Sequence, residues 1–394
     1  MRRNIRLLYG FAFLDQFMIV IPLFVPYLAT KGISMAQFMQ LQAIFALVIV
    51  GAEMPTGLLS DRWGRKKILL LGATLKAVSF SLLPLWTGYA GFLCYNLTMG
   101  IALSMISGGD VALLYESHLA AGGRTGPATS VLGNVKLAGQ SGAAASALVG
   151  GAVVILSFAH LLWINALLAW IPVLLVLAIA EPPAPAAPVK PPPVPVRQIL
   201  ATVLTRNATT RLVFLNMVAW GIAGLVMVWT NQKYWQDSQV PLAWFGALYA
   251  AYSLTAGFGS RLAGLAAARF GPRAPLAAVA VASILVYFGM AAFPGWPGIA
   301  LGLLAQLGYG LGQVLFLNAL NERIPSAIRA TIISMASLSV RAAFSLLGPL
   351  VGFGIDSTGL PAVLAAIGVV YTVTLATLLR PLLARLPPQG TPPP

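Results

Sequence analysis

Charge is scarce in this chain, and negative charge most of all. Of its 394 residues 8% are charged, with nine Asp and Glu against 24 Lys and Arg. A soluble domain has roughly a quarter of its residues charged, so an ordinary water-facing surface is excluded. The single cysteine, Cys94, rules out an internal disulfide or a cysteine metal cluster and predicts a lone buried thiol. There are two histidines, His118 and His160. No glycine-rich phosphate loop and no soluble segment with paired catalytic carboxylates is found. These absences argue against an enzyme, and neither a cofactor nor a metal is expected.

What fills the chain is apolar. Hydrophobic residues make up 59% and the mean hydropathy is +0.86, which predicts an all-α polytopic membrane protein embedded in the lipid bilayer. A span takes about 20 apolar residues, and helices are predicted over 5–30, 38–60, 67–87, 90–119, 128–156, 160–180, 209–236, 242–268, 274–293, 297–321, 328–355 and 359–383. The basic start (Arg2, Arg3, Arg6) leads into an apolar run too long for a cleavable signal, so the first helix is expected to stay. Most basic residues fall on the side of the two termini, while Lys31 lies opposite. By the positive-inside rule both termini are cytoplasmic in a multi-pass protein of the cell membrane. The net charge of +15 then reflects topology and not a nucleic-acid partner. His118 and His160 fall at opposite ends of this arrangement, too far apart to share a metal or a triad.

Residues 181–196 contain eight prolines and predict an extended linker. Residues 197–207 fit either a short amphipathic helix on the inner membrane face or the unstructured end of that linker. The expected organisation is a six-helix bundle over 1–180, a linker over 181–208, a second six-helix bundle over 209–384 and a tail over 385–394.

Residues 57–72 read GLLSDRWGRKKILLLG, wedged between two apolar runs. Gly57, Asp61, Arg62, Gly64 and Arg65 stand at the spacing Gly-x-x-x-Asp-Arg-x-Gly-Arg-Lys. This resembles the loop between the second and third helices of the major facilitator superfamily of transporters. The resemblance implies twelve helices in two pseudo-symmetric six-helix bundles, working by alternating access around a midplane site for a small-molecule substrate. An internal repeat supports it: shifted by 207 residues, Gly57, Arg62, Gly64 and Lys66 fall on Gly264, Arg269, Gly271 and Arg273, while Asp61 falls on Ala268. A monomer is expected.

A charge at mid-bilayer costs about 2.5–3.5 kcal/mol even on insertion scales, so each intramembrane charge calls for a role. Asp15 in the first predicted helix is followed by Pro22 and Pro26, a pattern that resembles the proton-coupled drug exporters of the superfamily. Loss of water favours the protonated form of a carboxyl, which makes Asp15 the first proton-coupling candidate and a substrate contact. Glu53 and Asp110 are the further coupling candidates. Lys76 and Lys136 lie at comparable depth, and static pairing of Glu53 with either is the favoured reading for Glu53. Arg341 stays charged at any relevant pH, as counter-ion to a carboxylate or as a binder of an anionic group.

Polar residues on helices that line the cavity in this superfamily (Asn231, Gln232, Gln306, Gln313) are the remaining substrate candidates. Trp229 to Gln236 otherwise suggest interfacial belt anchors, with Lys233 and Asp237 as an i,i+4 pair. Dense small residues in the fifth helix, including Gly142 and Gly150, predict close backbone approach. The resemblance further implies an inner gate of Gly57, Asp61, Arg62, Gly64, Arg65 and Glu116. In it Asp61 caps the start of the eleventh helix and Arg65 pairs with Glu116. The favoured function is proton-coupled efflux of small amphipathic molecules. An anionic metabolite or siderophore held by Arg341, and a non-transporting sensor, remain as alternatives.

Overall fold

Among the described residues the helices are arranged as twelve spans. The structure, a computed structural model, describes residues 1–122, 128–182 and 207–386. The proline-rich linker beyond Pro182, the amphipathic stretch after it and the tail from 387 lie outside the described residues. The described chain divides into two compact units, 1–182 with 241–250 and 207–240 with 251–386.

The first bundle holds α1 (Arg2–Asp15) and α2 (Phe24–Thr30), two halves of one span, then α3 (Met35–Trp63), α4 (Arg65–Leu82), α5 (Gly88–Ala120) and α6 (Ala128–Val153). Its sixth span is α7 (Phe158–Leu168) with α8 (Ile171–Ala178). The second bundle holds α9 (Ala208–Asp237), α10 (Leu242–Phe270), α11 (Arg273–Ala292), α12 (Trp296–Asn321) and α13 (Ser326–Thr358). α14 (Leu360–Thr374) closes it, running through a π-helical turn at Leu375–Leu379 into α15 (Arg380–Arg385). Among the described residues eight helical segments are long and apolar enough to cross a membrane. The other four spans are the broken first one, α4, α6 and α10.

The first span departs from the single helix expected over 5–30. It stops at Asp15 and resumes in a 3-10 turn at Ile21–Leu23. Pro22 offers no N–H to continue the helical ladder. The groups freed by the break find side-chain partners: Lys76 Nζ donates to the carbonyl oxygen of Asp15, and Val20 N donates to Asn165 Oδ1 at 3.4 Å. In a bilayer such partners are obligatory, because no water is at hand to replace them.

The small residues of α6 let it meet this broken span backbone to backbone. A Cβ on Gly142 would stand 2.0 Å from the carbonyl oxygen of Phe13, and one on Gly150 would stand 2.1 Å from that of Ile19. Neither position has room for a methyl group. Gly142→Ala is therefore expected to destabilise the protein by about 1–3 kcal/mol, the usual cost of overpacking. Gly133→Ala, with nothing within 4 Å of its added Cβ, is the control; a thermal melt in detergent in which both variants match the wild type would refute the contact.

The repeat is visible in the turns. Gly64, the one residue between α3 and α4, has φ +94°, and Gly271, between α10 and α11, has φ +71°; both conformations favour glycine. At the next helix start Lys66 Nζ bonds the carbonyl oxygen of Leu177 at 3.2 Å, while Arg273 Nη2 bonds that of Ala384 at 3.4 Å. Both members of the second pair lie 207 residues after those of the first, the offset read from the motif.

Two expectations about burial are corrected. Cys94 is exposed on α5 and not buried, because a helix bordering lipid can turn an apolar side chain outward at no cost. Trp235, expected among the belt aromatics, is only 1% exposed and meets Tyr252 edge-on at 5.2 Å between centroids. The expected Lys233–Asp237 pair is present.

Candidate functional site

The break in the first span creates the most polar place inside the first bundle. Asp15 ends α1, where unsatisfied carbonyls give the helix terminus a partial negative charge that favours a cation. Lys76, from the middle of α4, supplies it. Its Nζ lies 2.7 Å from Asp15 Oδ1 and also reaches the Asp15 carbonyl oxygen, and both side chains are 6% exposed. Gln16 Nε2 donates to the other carboxylate oxygen, Oδ2, at 3.1 Å. A small recess lined by Phe17, Phe80 and Asn165 adjoins the pair.

Asp110 faces the same region from α5. It is half-buried, and its Oδ1 accepts from Val111 N at 2.6 Å. Among the described residues no cation stands within ion-pair distance of Asp110. Helices packed against α5 also hold Glu53, half-buried on α3, and Lys136, exposed on α6. Asp15 and Lys76 thus neutralise one another, while Asp110 stands within α5 with no ion-pair partner among the described residues.

At the charged end of the bundle, Arg65 Nε lies 3.1 Å from Glu116 Oε1, with side chains 29% and 15% exposed. This pair joins the start of α4 to the last turns of α5. Glu181 approaches the same helix start, accepting from Lys66 N at 3.5 Å and lying 3.1 Å from where a Cβ on Gly64 would stand. Gly64 is constrained twice, by its φ and by this carboxylate. Asp61 and Arg62 are exposed on the last turn of α3, and Gly57 has nothing within 4 Å of an added Cβ.

The second bundle holds a small recess between α9, α11 and α12. Trp220, Tyr287 and Tyr309 supply rings, and Gln306 and Gln313 supply amides. Tyr371 of α14 steadies two of these rings from behind. It stacks on Tyr287 at 5.5 Å and 4°, lies 4.7 Å from Trp220, and bonds the carbonyl oxygen of Ala219 at 3.0 Å. Just beyond it the π-helical turn leaves the Leu378 carbonyl to accept from Asn216 Nδ2 at 3.1 Å.

A family model described as Major Facilitator Superfamily matches residues 7–234. The chain belongs to the Major Facilitator Superfamily. It is a multi-pass membrane transporter and not an enzyme. No curated protein sequence matches it. Among solved structures it is similar to the nucleoside transporter NupG, at 17% identity and TM-score 0.80 over 98% of this chain and 100% of that one. A bacterial homologue of the human lysosomal transporter Spinster, inward-facing and occupied, matches at 15% identity and TM-score 0.79, covering 97% and 96%. A D-xylose–proton symporter matches at 14% identity and TM-score 0.69, covering 95% and 97%. At such identities the likeness is one of fold.

The structure groups the residues singled out from sequence unevenly. Lys76 bonds Asp15 and not Glu53, and Glu53 forms no ion pair with either lysine among the described residues. Arg65 and Glu116 are brought together. Gln306 and Gln313, seven residues apart and so on one helix face, line the same recess, whereas Asn231 and Gln232 are buried further along α9 and do not. Arg341 is half-buried on α13. The rings of Trp220, Tyr287 and Tyr371 escape a sequence reading because they come from three helices. No local spacing links them.

Proposed function

We propose that this transporter is a proton-coupled carrier, working by alternating access, that exports small amphipathic organic molecules. The observation that carries the proposal is Asp110, a half-buried carboxylate within α5 that has no ion-pair partner among the described residues. In this reading Asp15 stays paired with Lys76, and Asp110 takes up and releases the coupled proton. Protonation of Asp110 removes one charge from the first bundle, which biases the equilibrium between the inward-open and outward-open states as far as the two states differ in their affinity for that proton.

The recess of the second bundle contains no charged side chain, which suits a neutral or amphipathic cargo better than an ion. Export is the direction suggested by the acid and proline pair of the first span, with both termini cytoplasmic by the positive-inside rule. Asp61, Arg62 and the Arg65–Glu116 pair then belong to the cytoplasmic gate.

The test uses the full chain in liposomes with an internal pH dye, adding neutral, cationic and anionic organic solutes singly. Proton movement driven by neutral or amphipathic solutes is the expected result. Solute flux without proton movement would refute coupling, and flux confined to anions would return Arg341 to the centre of the site.

A further inference from the structure

The two copies of the turn motif differ in how their charges are balanced. Around Gly64 the bases Arg62, Arg65, Lys66 and Lys67 are set against acids. Asp61 precedes Arg62, Arg65 pairs with Glu116 at 3.1 Å, and Glu181 accepts from Lys66 N at 3.5 Å. At the offset of 207 residues Asp61 falls on Ala268 and Glu181 on Pro388, whereas Ala178 falls on Arg385. Pro388 lies outside the described residues. Arg65 and Lys67 fall on Pro272 and Ala274. The second copy thus keeps Arg269 and Arg273, gains Arg385, and has no acid at the places of Asp61 and Glu181.

The structure brings these arginines to one end of the second bundle. Arg269 is in the last turn of α10 and Arg273 opens α11, with Gly271 turning the chain between them. Arg273 Nε donates to the Leu386 carbonyl oxygen at 2.5 Å and Nη2 to that of Ala384 at 3.4 Å, and those two residues flank Arg385. Leu379, Leu382 and Leu386 are buried and hold this last helix against the bundle, while Arg269 and Arg385 are exposed. The two carbonyls fix the Arg273 guanidinium and use two of its five N–H groups. The acids of the second bundle are elsewhere. Asp237 and Asp356 stand in the last turns of α9 and α13, at the opposite end, and Glu322 pairs with Arg323 at 3.4 Å. Beside the arginines the surface is apolar. Phe270, 52% exposed, has the Arg269 guanidinium 5.4 Å from its ring centre, and Leu265, one turn before Arg269, is 68% exposed.

We infer that the α10–α11 turn is a binding site for the headgroup phosphate of an anionic phospholipid. Guanidinium pairs with phosphate oxygens in a forked geometry, and Arg273 is already held in place by the chain end, which lowers the ordering cost of binding. Arg269 and Arg385 supply the charge around it. The first copy of the turn has Glu116 and Glu181 as built-in partners for its bases; the second leaves that part to a ligand. A zwitterionic headgroup brings its own cation and so gains less from three arginines. A lipid fits better than a soluble anion because Leu265 and Phe270 join the arginines to an exposed apolar surface, against which acyl chains can lie. The site is independent of the coupling carboxylates and of the cargo.

The test counts bound lipid by native mass spectrometry of the full-length protein in a neutral detergent, with phosphatidylglycerol set against phosphatidylcholine. Phosphatidylglycerol is expected to bind more tightly by roughly tenfold or more. Arg269→Gln and Arg385→Gln should each weaken it about fivefold, the worth of one base near an anionic lipid surface, and the double variant about 25-fold. Arg273 is kept, because it also holds the Ala384 and Leu386 carbonyls. Lys67→Gln, in the first copy, should leave the affinity unchanged, and the melting temperature of each variant should match the wild type. Equal affinity for the two lipids, or an unchanged affinity in the double variant, would overturn the site. An equal loss in Lys67→Gln would also overturn it, by making the preference a diffuse property of the basic surface. Glycerol 3-phosphate displacing the lipid at equal concentration would overturn the lipid and give the turn to a soluble phosphate ester.

Discussion

Lys76→Met is expected to destabilise the protein by about 3–5 kcal/mol, the usual cost of leaving one member of a buried ion pair without its partner. Methionine matches the length of the lysine stem but brings no charge, so Asp15 would remain at 6% exposure beside a helix end of like sign. The carbonyl oxygen of Asp15 would lose its donor at the same stroke. Adding Asp15→Asn should recover most of the loss, because the double variant has no buried charge left at the break. A melt in detergent of the two single variants and the double one tests this. Equal melting temperatures in Lys76→Met and the wild type would mean that water or another cation already serves Asp15.

The second large effect concerns Asp110. Asp110→Asn should abolish proton-driven accumulation while leaving counterflow, the exchange of labelled for unlabelled substrate at equal pH, within about threefold of the wild type. The physical ground is that asparagine mimics the protonated carboxyl in shape and charge, so the carrier cycles but has no proton to exchange. Asp15→Asn differs in kind: it orphans Lys76, so stability and both modes of transport should fall together. Loss of counterflow in Asp110→Asn with an unchanged melting temperature would instead make Asp110 a substrate contact.

How much of this was legible beforehand follows the range of the interactions. The span count, the turn glycines and the Lys233–Asp237 pair are local or repeat features, and each is found where periodicity and offset place it. The approach of α6 to the first span could be foreseen from its glycines, since only small residues permit it. The Arg65–Glu116 contact was readable because a family motif names one partner and the end of α5 offers few acids. Lys76 was assigned to the wrong acid for a physical reason. Depth along a helix is readable from sequence, whereas the choice between Glu53 and Asp15 depends on the break at residues 16–20, which bares the Asp15 carbonyl and gives the ammonium two acceptors in one place. Pro22 does not by itself announce the break, because a proline in a membrane helix is often accommodated without one. The aromatic recess was hidden for a different reason: its glutamines share one helix face, while its rings meet only when α9, α11 and α12 pack together.

The central claim is that Asp110 holds the exchangeable proton and Asp15 does not. Infrared difference spectroscopy of the full chain in nanodiscs, titrated through neutral pH, reports it directly through the carbonyl stretch of a protonated carboxyl. The account predicts one such band in the wild type, missing from Asp110→Asn and still present when Glu53 is replaced by Gln. A band that persists in Asp110→Asn and disappears in Asp15→Asn would contradict it.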